Sequence, residues 1–194
     1  MKAIILASGR GTRMGSLTND TPKPLLEVWG EPLIFYVLRS IPSEKIDEII
    51  IVVNYLGDQI KKAVNEEFGE LNIRYVKGSE KGNSYSFMAT KRYLDDERFL
   101  LIYGDEIPGY DNVRRCLRKD LSILTFNGGT YDGVMVLNTD MFKYKPEDDQ
   151  FKSLLDRFVE DHDVDLVEAR NFLGGINTPE DLDRVGKKLP KIYV

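Results

Sequence analysis

Residues 1–27 of the chain read MKAIILASGRGTRMGSLTNDTPKPLLE. The run Lys2–Ala7 is short, apolar and rich in β-branched isoleucine, which predicts a central strand of a parallel sheet that is covered on both faces. Glycines at positions 9, 11 and 15 follow it. They permit positive φ values and close approach of another molecule, so successive backbone N–H groups can hold phosphate oxygens. The stretch therefore predicts a buried strand followed by an anion-binding turn.

Two cations accompany this turn. The spacing is neither G-x-G-x-x-G nor a P-loop ending in G-K-[ST], which disfavours dinucleotide cofactors and P-loop chemistry. Arg13 and Lys23 can offset the charges of a triphosphate, because arginine grips oxygens with a planar fork and lysine acts as a compact point charge. A tight turn with two solvated surface cations is the alternative interpretation.

Apolar runs alternate with helical patterns along the chain, which predicts an α/β fold and, with no linker or repeat, a single domain over residues 1–194. Strands are expected at 49–53, 72–76 and 99–103, and helices at 32–41, 56–68 and 84–94. In such right-handed βαβ units, ligands bind beyond the carboxyl ends of the strands. The glycine-rich turn and the Gly104-Asp105 pair are both expected at that edge.

Asp105 comes directly after a buried strand, so its carboxylate is expected to be held rigidly. A hard oxygen ligand of this kind is what Mg²⁺ prefers when it is shared with substrate phosphates. The alternative is a turn-forming aspartate, which is common in Gly-Asp pairs.

The segment LASGRGTRMGSLTNDTPKPLLEVWGEPLI at 6–34 resembles the opening motif of the sugar-phosphate nucleotidyltransferases, with Ser8 and Met14 as departures from its usual form. The resemblance implies a Rossmann-like, three-layer α/β domain with a mostly parallel sheet. It also implies an enzyme that couples a nucleoside triphosphate to a phosphorylated acceptor with Mg²⁺, releasing pyrophosphate. Arg13, Lys23 and Asp105 would be catalytic. The residues implied to bind the nucleotide in this first motif are Leu6, Ala7, Ser8, Gly9, Gly11, Thr12, Arg13 and Lys23.

The metal ligands implied by the resemblance are Asp105 and Asn177, the latter just before Thr-Pro-Glu-Asp. Some relatives place an aspartate two positions earlier, where this chain has Gly175, and a ligand at that position would be absent here. Glu106 is expected to point away from the metal. Capping of a helix by Thr178 explains most of the same string.

The segment at 79–94 resembles that of cytidylyltransferases acting on phosphocholine or inositol phosphate, which favours CTP. Gly82, Asn83 and Ser84 lie at a predicted helix start, where exposed N–H groups could meet the nucleotide. Lys119 would contact the acceptor phosphate, or would be a solvated cation. Two further hypotheses stay open: nucleotidyl transfer to a pterin-type cofactor, and a non-catalytic nucleotide sensor or subunit.

The net charge of −5 disfavours a general nucleic-acid partner. No segment approaches the length of a membrane span and no signal sequence is indicated, so the expected location is the cytoplasm.

The single cysteine, Cys116, excludes an intrachain disulfide and is expected to be half-buried. The single histidine, His162, is expected at a solvated helix end. The apolar end at 191–194 would pack on the body or on a partner, so a homo-oligomer is possible.

Overall fold

A β-sheet forms the centre of the molecule. The protein is represented by a computed structural model that describes residues 1–95, 98–127 and 130–188, with the backbone alone at 130–132. The strands within these ranges are β1 (Lys2–Ala7), β2 (Glu27–Val28), β3 (Glu31–Pro32), β4 (Glu48–Val53), β5 (Glu67–Phe68), β6 (Leu71–Lys77), β7 (Arg98–Tyr103), β8 (Ser122–Phe126), β9 (Thr130–Asn138) and β10 (Asp165–Glu168). Eight of these described strands form the central sheet in the order β10-β8-β9-β7-β1-β4-β6-β5.

Most neighbours in this sheet are parallel, as predicted. Strand β1 lies between β4 and β7 and is parallel to both, with Ile4 opposite Ile50 on one side and Leu101 on the other. The antiparallel members are β9, which separates β7 from β8, and the short edge strand β5. The carboxyl ends of β1, β4 and β7 therefore lie at one edge of the sheet.

Helices cover both faces and complete a three-layer α/β fold. Their bounds are α1 (Leu33–Ser40), α2 (Gly57–Val64), α3 (Asn83–Met88), α4 (Tyr110–Cys116), α5 (Phe151–Asp161) and α6 (Pro179–Lys188). Val37 of α1 and Ile60 of α2 pack on one face with Ile5 of β1, while Phe87 of α3 and Phe158 of α5 pack on the other. A separate hydrophobic core lies on each face of the sheet. Because the side chains of a strand alternate between the two faces, the apolar run of β1 contributes to both cores.

The helix predicted over 56–68 is shorter in the structure. It ends at Val64 because Asn65 adopts a φ of 65°, which a continuing helix does not allow. Phe68 instead lies in β5, where its ring packs against Phe35 with the centroids 6.1 Å apart. The tertiary contact of Phe68 overrides its helical spacing.

The helix predicted over 84–94 is also interrupted. Helix α3 ends at Met88, and a separate 3₁₀ turn spans Lys91–Tyr93. Between them the hydroxyl of Thr90 donates to the carbonyl oxygen of Phe87 at 2.7 Å, a local bond that competes with the helical ladder.

Cys116 is fully buried rather than half-buried, because α4 packs its thiol against the sheet. Burial raises the pKa of this thiol to about 11. His162 follows α5 and is partly covered: its ring stacks on Phe158, with the centroids 4.0 Å apart, and Nε2 lies 3.3 Å from Asp140 Oδ2. No helix in the described ranges has the length and apolarity needed to cross a bilayer. The predicted apolar end at 191–194 lies outside the described residues.

Candidate active site

A cavity of about 820 Å³ opens at the carboxyl ends of β1 and β7. Ala7 and Gly104 lie side by side at its base, and the Gly104 N–H donates to the Leu6 carbonyl oxygen at 2.9 Å. A side chain at position 104 would lie 3.1 Å from the Ala7 Cβ, so the two small residues let the strand ends approach closely. The cavity therefore occupies the position predicted from the topology.

The glycine-rich turn forms one wall of this cavity. Gly11 adopts a φ of 66°, a left-handed conformation that starts the 3₁₀ segment Thr12–Thr18. The hydroxyl of Thr18 donates to the Gly11 carbonyl oxygen at 3.0 Å, and buried Met14 fixes the segment to the core. The cavity lining includes the predicted positions Leu6, Ala7, Gly9, Gly11 and Thr12.

Lys23 lies between Pro22 and Pro24 and reaches the cavity from the start of a short 3₁₀ turn, Lys23–Leu25. Its stem packs against Gly11, and the residue is only 7% exposed. The ammonium group lies 2.5 Å from Asp105 Oδ2 and 3.1 Å from Asn177 Oδ1. Residues separated by 82 and 154 positions thus converge on one nitrogen atom.

Arg13 joins the same cluster through Asn177. Its Nη2 donates to Asn177 Oδ1 at 2.7 Å, so the amide oxygen of Asn177 accepts hydrogen bonds from both cations. Two N–H donors require an oxygen acceptor, which fixes the orientation of the Asn177 amide. The cluster combines two cations, one carboxylate and one amide.

The segment before α6 is attached to the strand end. Ile176 N–H donates to the Asp105 carbonyl oxygen at 3.2 Å, and Ile176 is fully buried. Asp181 Oδ2 accepts from the N–H groups of Asn177 and Thr178, at 3.0 and 3.1 Å, while the Thr178 hydroxyl caps α6 as predicted. The hydrogen bond from Arg184 holds the pKa of Asp181 below its usual value.

The oxygens of Asp105 and Asn177 are the type of ligand that a hard divalent cation prefers, but both accept from the Lys23 ammonium group, which would have to move aside for an ion to bind. Both lie within hydrogen-bond distance of the Lys23 nitrogen, so they face one small volume. Among the described residues, no group of three or more histidine, cysteine, aspartate or glutamate side chains forms a metal cluster. Two protein oxygens match Mg²⁺ that is shared with substrate phosphates, and do not match an all-protein metal cage.

The structure brings ten of the predicted residues to the cavity: the five positions of β1 and of the turn that are named above and, with them, Arg13, Lys23, Asn83, Asp105 and Asn177. It does not bring Ser8, Gly82 or Ser84 there. Ser8 is 6% exposed, and its hydroxyl donates to that of Ser86 at 2.9 Å, so it serves packing.

The start of α3 is already covered, which corrects the expectation of exposed N–H groups. The carbonyl oxygen of Asp149 accepts from Asn83 N–H at 2.9 Å and from Ser84 N–H at 3.4 Å. A side chain at position 82 would lie 2.4 Å from the Asp149 Cβ. The lack of a side chain at Gly82 therefore lets Asp149 pack against the start of α3. Of residues 82–84, Asn83 is the one that lines the cavity.

Lys119 is placed at the opposite edge of the sheet. Its ammonium group pairs with Asp165 Oδ1 at 3.1 Å, and its carbonyl oxygen accepts from Arg98 at 2.8 Å. Arg98 begins β7, whose carboxyl end precedes Asp105, so Lys119 lies at the end of β7 opposite to the cavity cluster and is not among the residues of the cavity lining. The predicted acceptor contact of Lys119 is corrected on this ground.

Several cavity residues were missed by the sequence analysis. Glu106 lines the cavity, although the sequence assigned it no part in the site beyond the expectation that it points away from the metal. Helix α5 contributes Phe151, Lys152, Leu155 and Asp156 from a part of the chain that carried no motif. The amphipathic spacing of α5 predicts a helix that packs on the core. It does not predict that this helix lies beside the carboxyl ends of the strands.

Comparison with known families gives the class of protein to which this fold and this cavity belong. Residues 3–119 match the family model of the MobA-like NTP transferase domain. The match covers more than half of the chain, which therefore belongs to that family and is a nucleotidyltransferase, as its relatives are.

Two curated relatives illustrate the similarity. The chain is 26% identical to the "Probable glucose-1-phosphate cytidylyltransferase" of Bacillus subtilis, over 96% of this chain and 95% of that protein. The alignment spans 246 positions, so the Bacillus protein carries residues for which this chain of 194 has no counterpart. The chain is 39% identical to the choline-phosphate cytidylyltransferase of Streptococcus pneumoniae, over 48% of this chain but only 41% of that protein's length.

A solved structure supports the fold. The inositol-1-phosphate CTP transferase from T. maritima superposes with a TM-score of 0.79, covering 99% of this chain and 96% of that one, at 24% sequence identity. The predicted nucleotide-diphospho-sugar transferase type of α/β fold is thereby confirmed.

Proposed function

We propose that this nucleotidyltransferase transfers a nucleotidyl group, with CTP as the favoured donor, to a small phosphorylated acceptor, and that it releases pyrophosphate in a Mg²⁺-dependent reaction. The observation that carries the proposal is the convergence of Lys23, Asp105 and Asn177 on one small volume beside the glycine-rich turn. The preference for CTP is supported by the cytidylyl and CTP activities that several relatives are named for.

The turn and its two cations suit the triphosphate. Gly9, Gly11 and Thr12 line the cavity with Arg13 and Lys23. In this proposal the backbone N–H groups of the turn hold phosphate oxygens, and the two side chains supply positive charge beside them. Lys23 is nearly buried, so its field is screened less by water than that of a surface lysine. In this proposal, Arg13 contacts the β- and γ-phosphates and Lys23 lies near the α-phosphate, where charge develops in the transition state.

Asp105 and Asn177 would hold the Mg²⁺ ion. The ion would supply Lewis-acid polarisation of the phosphates to which it is bound. Asn177 contributes no negative charge, so Asp105 is the single carboxylate of this pair. The ion pair with Lys23 holds that carboxylate in the cavity, at the carboxyl end of β7.

The reaction needs no protein nucleophile. An ionised oxygen of the acceptor phosphate attacks the α-phosphorus in line, the bond between the α-phosphorus and the bridging oxygen breaks, and pyrophosphate leaves. The protein holds the two phosphorylated reactants in that geometry and stabilises the charge. Lys152 on α5 is the remaining lysine of the described cavity lining and takes the place that was expected of Lys119 as a contact for the acceptor phosphate.

The test is pyrophosphate release by the wild-type protein. Each NTP is incubated with Mg²⁺ and a panel of phosphorylated sugars, polyols and phosphocholine, with EDTA as the metal-free control. We expect release with CTP and at least one acceptor, and loss of turnover by about 10³-fold or more in Asp105→Asn, because the charge beside the reacting phosphate is removed. Asp165→Asn is the matched control, since Asp165 pairs with Lys119 at the amino end of β10 and is not part of the cavity lining.

A non-catalytic sensor gives a different result. Such a protein would show NTP-dependent thermal stabilisation without pyrophosphate under any combination of NTP and acceptor. That outcome would overturn the proposed transfer while leaving the nucleotide site in place. A pterin-type acceptor would show itself as pyrophosphate release that requires the pterin.

A further inference from the structure

The glycine-rich turn contains three glycines within seven residues, at positions 9, 11 and 15. Glycine has more conformational freedom to lose than any other residue, so a free turn of this composition would pay an ordering cost each time it closed around a triphosphate. Contacts that hold the turn in its binding conformation before the ligand arrives remove that cost. The loop between β4 and α2 supplies such contacts.

Tyr55, in that loop, contacts the tip of the turn. Arg10 lies between Gly9 and Gly11, and its guanidinium carbon is 4.7 Å from the centre of the Tyr55 ring, which is a cation–π distance. Gly9 and Gly11 line the cavity, whereas Arg10 is not among the lining residues. The Arg10 side chain therefore anchors the tip of the turn to Tyr55, away from the cavity lining.

The same tyrosine holds the far end of the segment that follows the turn. Its hydroxyl group lies 2.7 Å from the Asn19 carbonyl oxygen and 3.1 Å from that of Thr18, and it donates to this pair of acceptors. The Thr18 hydroxyl donates in its turn to the Gly11 carbonyl oxygen at 3.0 Å. Tyr55 is thus connected to the turn at two points, through Arg10 and through Thr18.

A second side chain and a bend in the backbone accompany this arrangement. Gln59 Nε2 donates to the Asp20 carbonyl oxygen at 2.9 Å. Leu56, between Tyr55 and Gln59, adopts a φ of 51°, a left-handed conformation that leucine rarely adopts. Such a conformation persists where the surrounding contacts hold it. Residues on both sides of this bend contact the segment that follows the turn.

We infer that Tyr55 is a positioning residue for the nucleoside triphosphate, and that it acts by fixing the glycine-rich turn through Arg10 and through the carbonyl groups of Thr18 and Asn19. Tyr55 is not among the residues of the cavity lining, so its effect on the ligand passes through the turn. The inference rests on the proposed function, because it concerns the nucleotide site of the same reaction. It gives the loop after β4 a part in that site.

The experiment compares pyrophosphate release by Tyr55→Leu and by wild type, with Tyr93→Leu as the matched control. The Tyr93 ring also lies 4.7 Å from an arginine, Arg92, but its carbonyl oxygen accepts from Lys2, at the end of β1 opposite to the turn. We expect the KM for the NTP to rise by roughly 5- to 50-fold in Tyr55→Leu, as for loss of a cation–π contact and a hydrogen bond. The KM for the acceptor should stay unchanged, and Tyr93→Leu should change neither KM.

Two further variants test the route through which Tyr55 acts. Tyr55→Phe keeps the ring beneath Arg10 and loses the hydroxyl group, so we expect an intermediate KM for the NTP, and this variant serves as the readout if Tyr55→Leu does not fold. Arg10→Gln completes a double-mutant cycle with Tyr55→Leu. Because Arg10 acts through the ring, Arg10→Gln should raise the KM for the NTP in the wild-type background and have little further effect in Tyr55→Leu.

Three results would overturn the inference. The first is an unchanged KM for the NTP in Tyr55→Leu and Tyr55→Phe. The second is an equal rise in the KM values for the NTP and the acceptor, which a general loss of structure would give. The third is an effect of Arg10→Gln that is equally large in both backgrounds, which would mean that Arg10 meets the phosphates without the help of Tyr55.

Calorimetry separates failure of this inference from failure of the proposed function. If the wild type releases no pyrophosphate with any pair of substrates, the transfer reaction is disproved, and the dissociation constant of each NTP with Mg²⁺ is then measured directly. Binding that weakens in Tyr55→Leu and not in Tyr93→Leu supports the positioning role of Tyr55. Absence of NTP binding to the wild type, an unchanged affinity in Tyr55→Leu, or equal weakening in the two variants overturns it.

Discussion

Lys23 and Lys119 each form an ion pair with an aspartate, at 2.5 Å to Asp105 and 3.1 Å to Asp165, but they do so at opposite edges of the central sheet. The Lys23 side chain is 8% exposed and that of Lys119 is 48% exposed. Water and salt screen the second pair, so its contribution is small. The difference shows that position at the strand ends, and not residue type, decides which lysine can act on a substrate.

The largest effect is expected from removing the charge of the buried lysine. Lys23→Met keeps an apolar stem against Gly11 but no longer supplies a cation beside Asp105. We expect kcat/KM for pyrophosphate release to fall by about 10³-fold or more, as when a preorganised charge is removed from a transition state. The measurement is the initial rate with saturating Mg²⁺.

Lys119→Met provides the matched comparison for this prediction. It removes the same charge from a surface ion pair, and we expect kcat/KM to remain at the wild-type value. Equal losses in the two variants would disprove the distinction between the two edges. Circular dichroism of both variants confirms that the fold is retained.

Two glycines extend the comparison from charge to backbone. Gly82→Ala places a Cβ 2.4 Å from that of Asp149, at a φ of 118°, so the backbone must shift. We expect the free energy of unfolding in urea to fall by about 2 kcal/mol, as for other strained backbone positions. The loss arises in the fold, because Gly82 does not line the cavity.

Gly9→Ala is the contrasting variant. A Cβ at Gly9 meets nothing within 4 Å and points into open space beside the phosphate-binding turn. We expect the free energy of unfolding to stay unchanged while NTP binding weakens. A destabilised Gly9→Ala or an unaffected Gly82→Ala would contradict the division between fold and site.

The strand, the turn and Lys23 were predictable because they are close in sequence and their chemistry is local. Asp105 was predictable from the apolar run that precedes it, since parallel strands align their carboxyl ends. The Thr-Pro-Lys-Pro segment at 21–24 added a specific resemblance to the opening motif of the sugar-phosphate nucleotidyltransferases. In these places local pattern and tertiary position agree.

The other side of the cavity was not predictable in the same way. Asn83 and Ser84 are neighbours whose N–H groups both donate to the carbonyl oxygen of Asp149, yet only Asn83 lines the cavity. That contact joins segments more than sixty residues apart, and no spacing rule specifies it. The residues of α5 that line the cavity could not be predicted either, because their position depends on how this helix packs against the sheet and the helix carries no motif.

The smallest effect concerns the carboxylate that positions Asn177. Asp181→Ala removes the acceptor for the N–H groups of Asn177 and Thr178, and we expect the free energy of unfolding at pH 7 to fall by about 1 kcal/mol, as for loss of a helix cap. Asp183→Ala on the same helix is the control, because Asp183 pairs with Lys187 on the exposed face of the helix. Urea denaturation measures both.

The pH dependence distinguishes this cap from simple packing. The pKa of Asp181 is lowered below its usual 3.8, so its contribution is complete above that value and is lost as the pH falls through the lowered folded-state pKa. The difference in stability between wild type and Asp181→Ala should therefore be constant from pH 7 to about pH 5 and shrink below pH 3.8. A difference that persists unchanged at lower pH would mean that the methylene group of Asp181, and not its charge, supports the segment that carries Asn177.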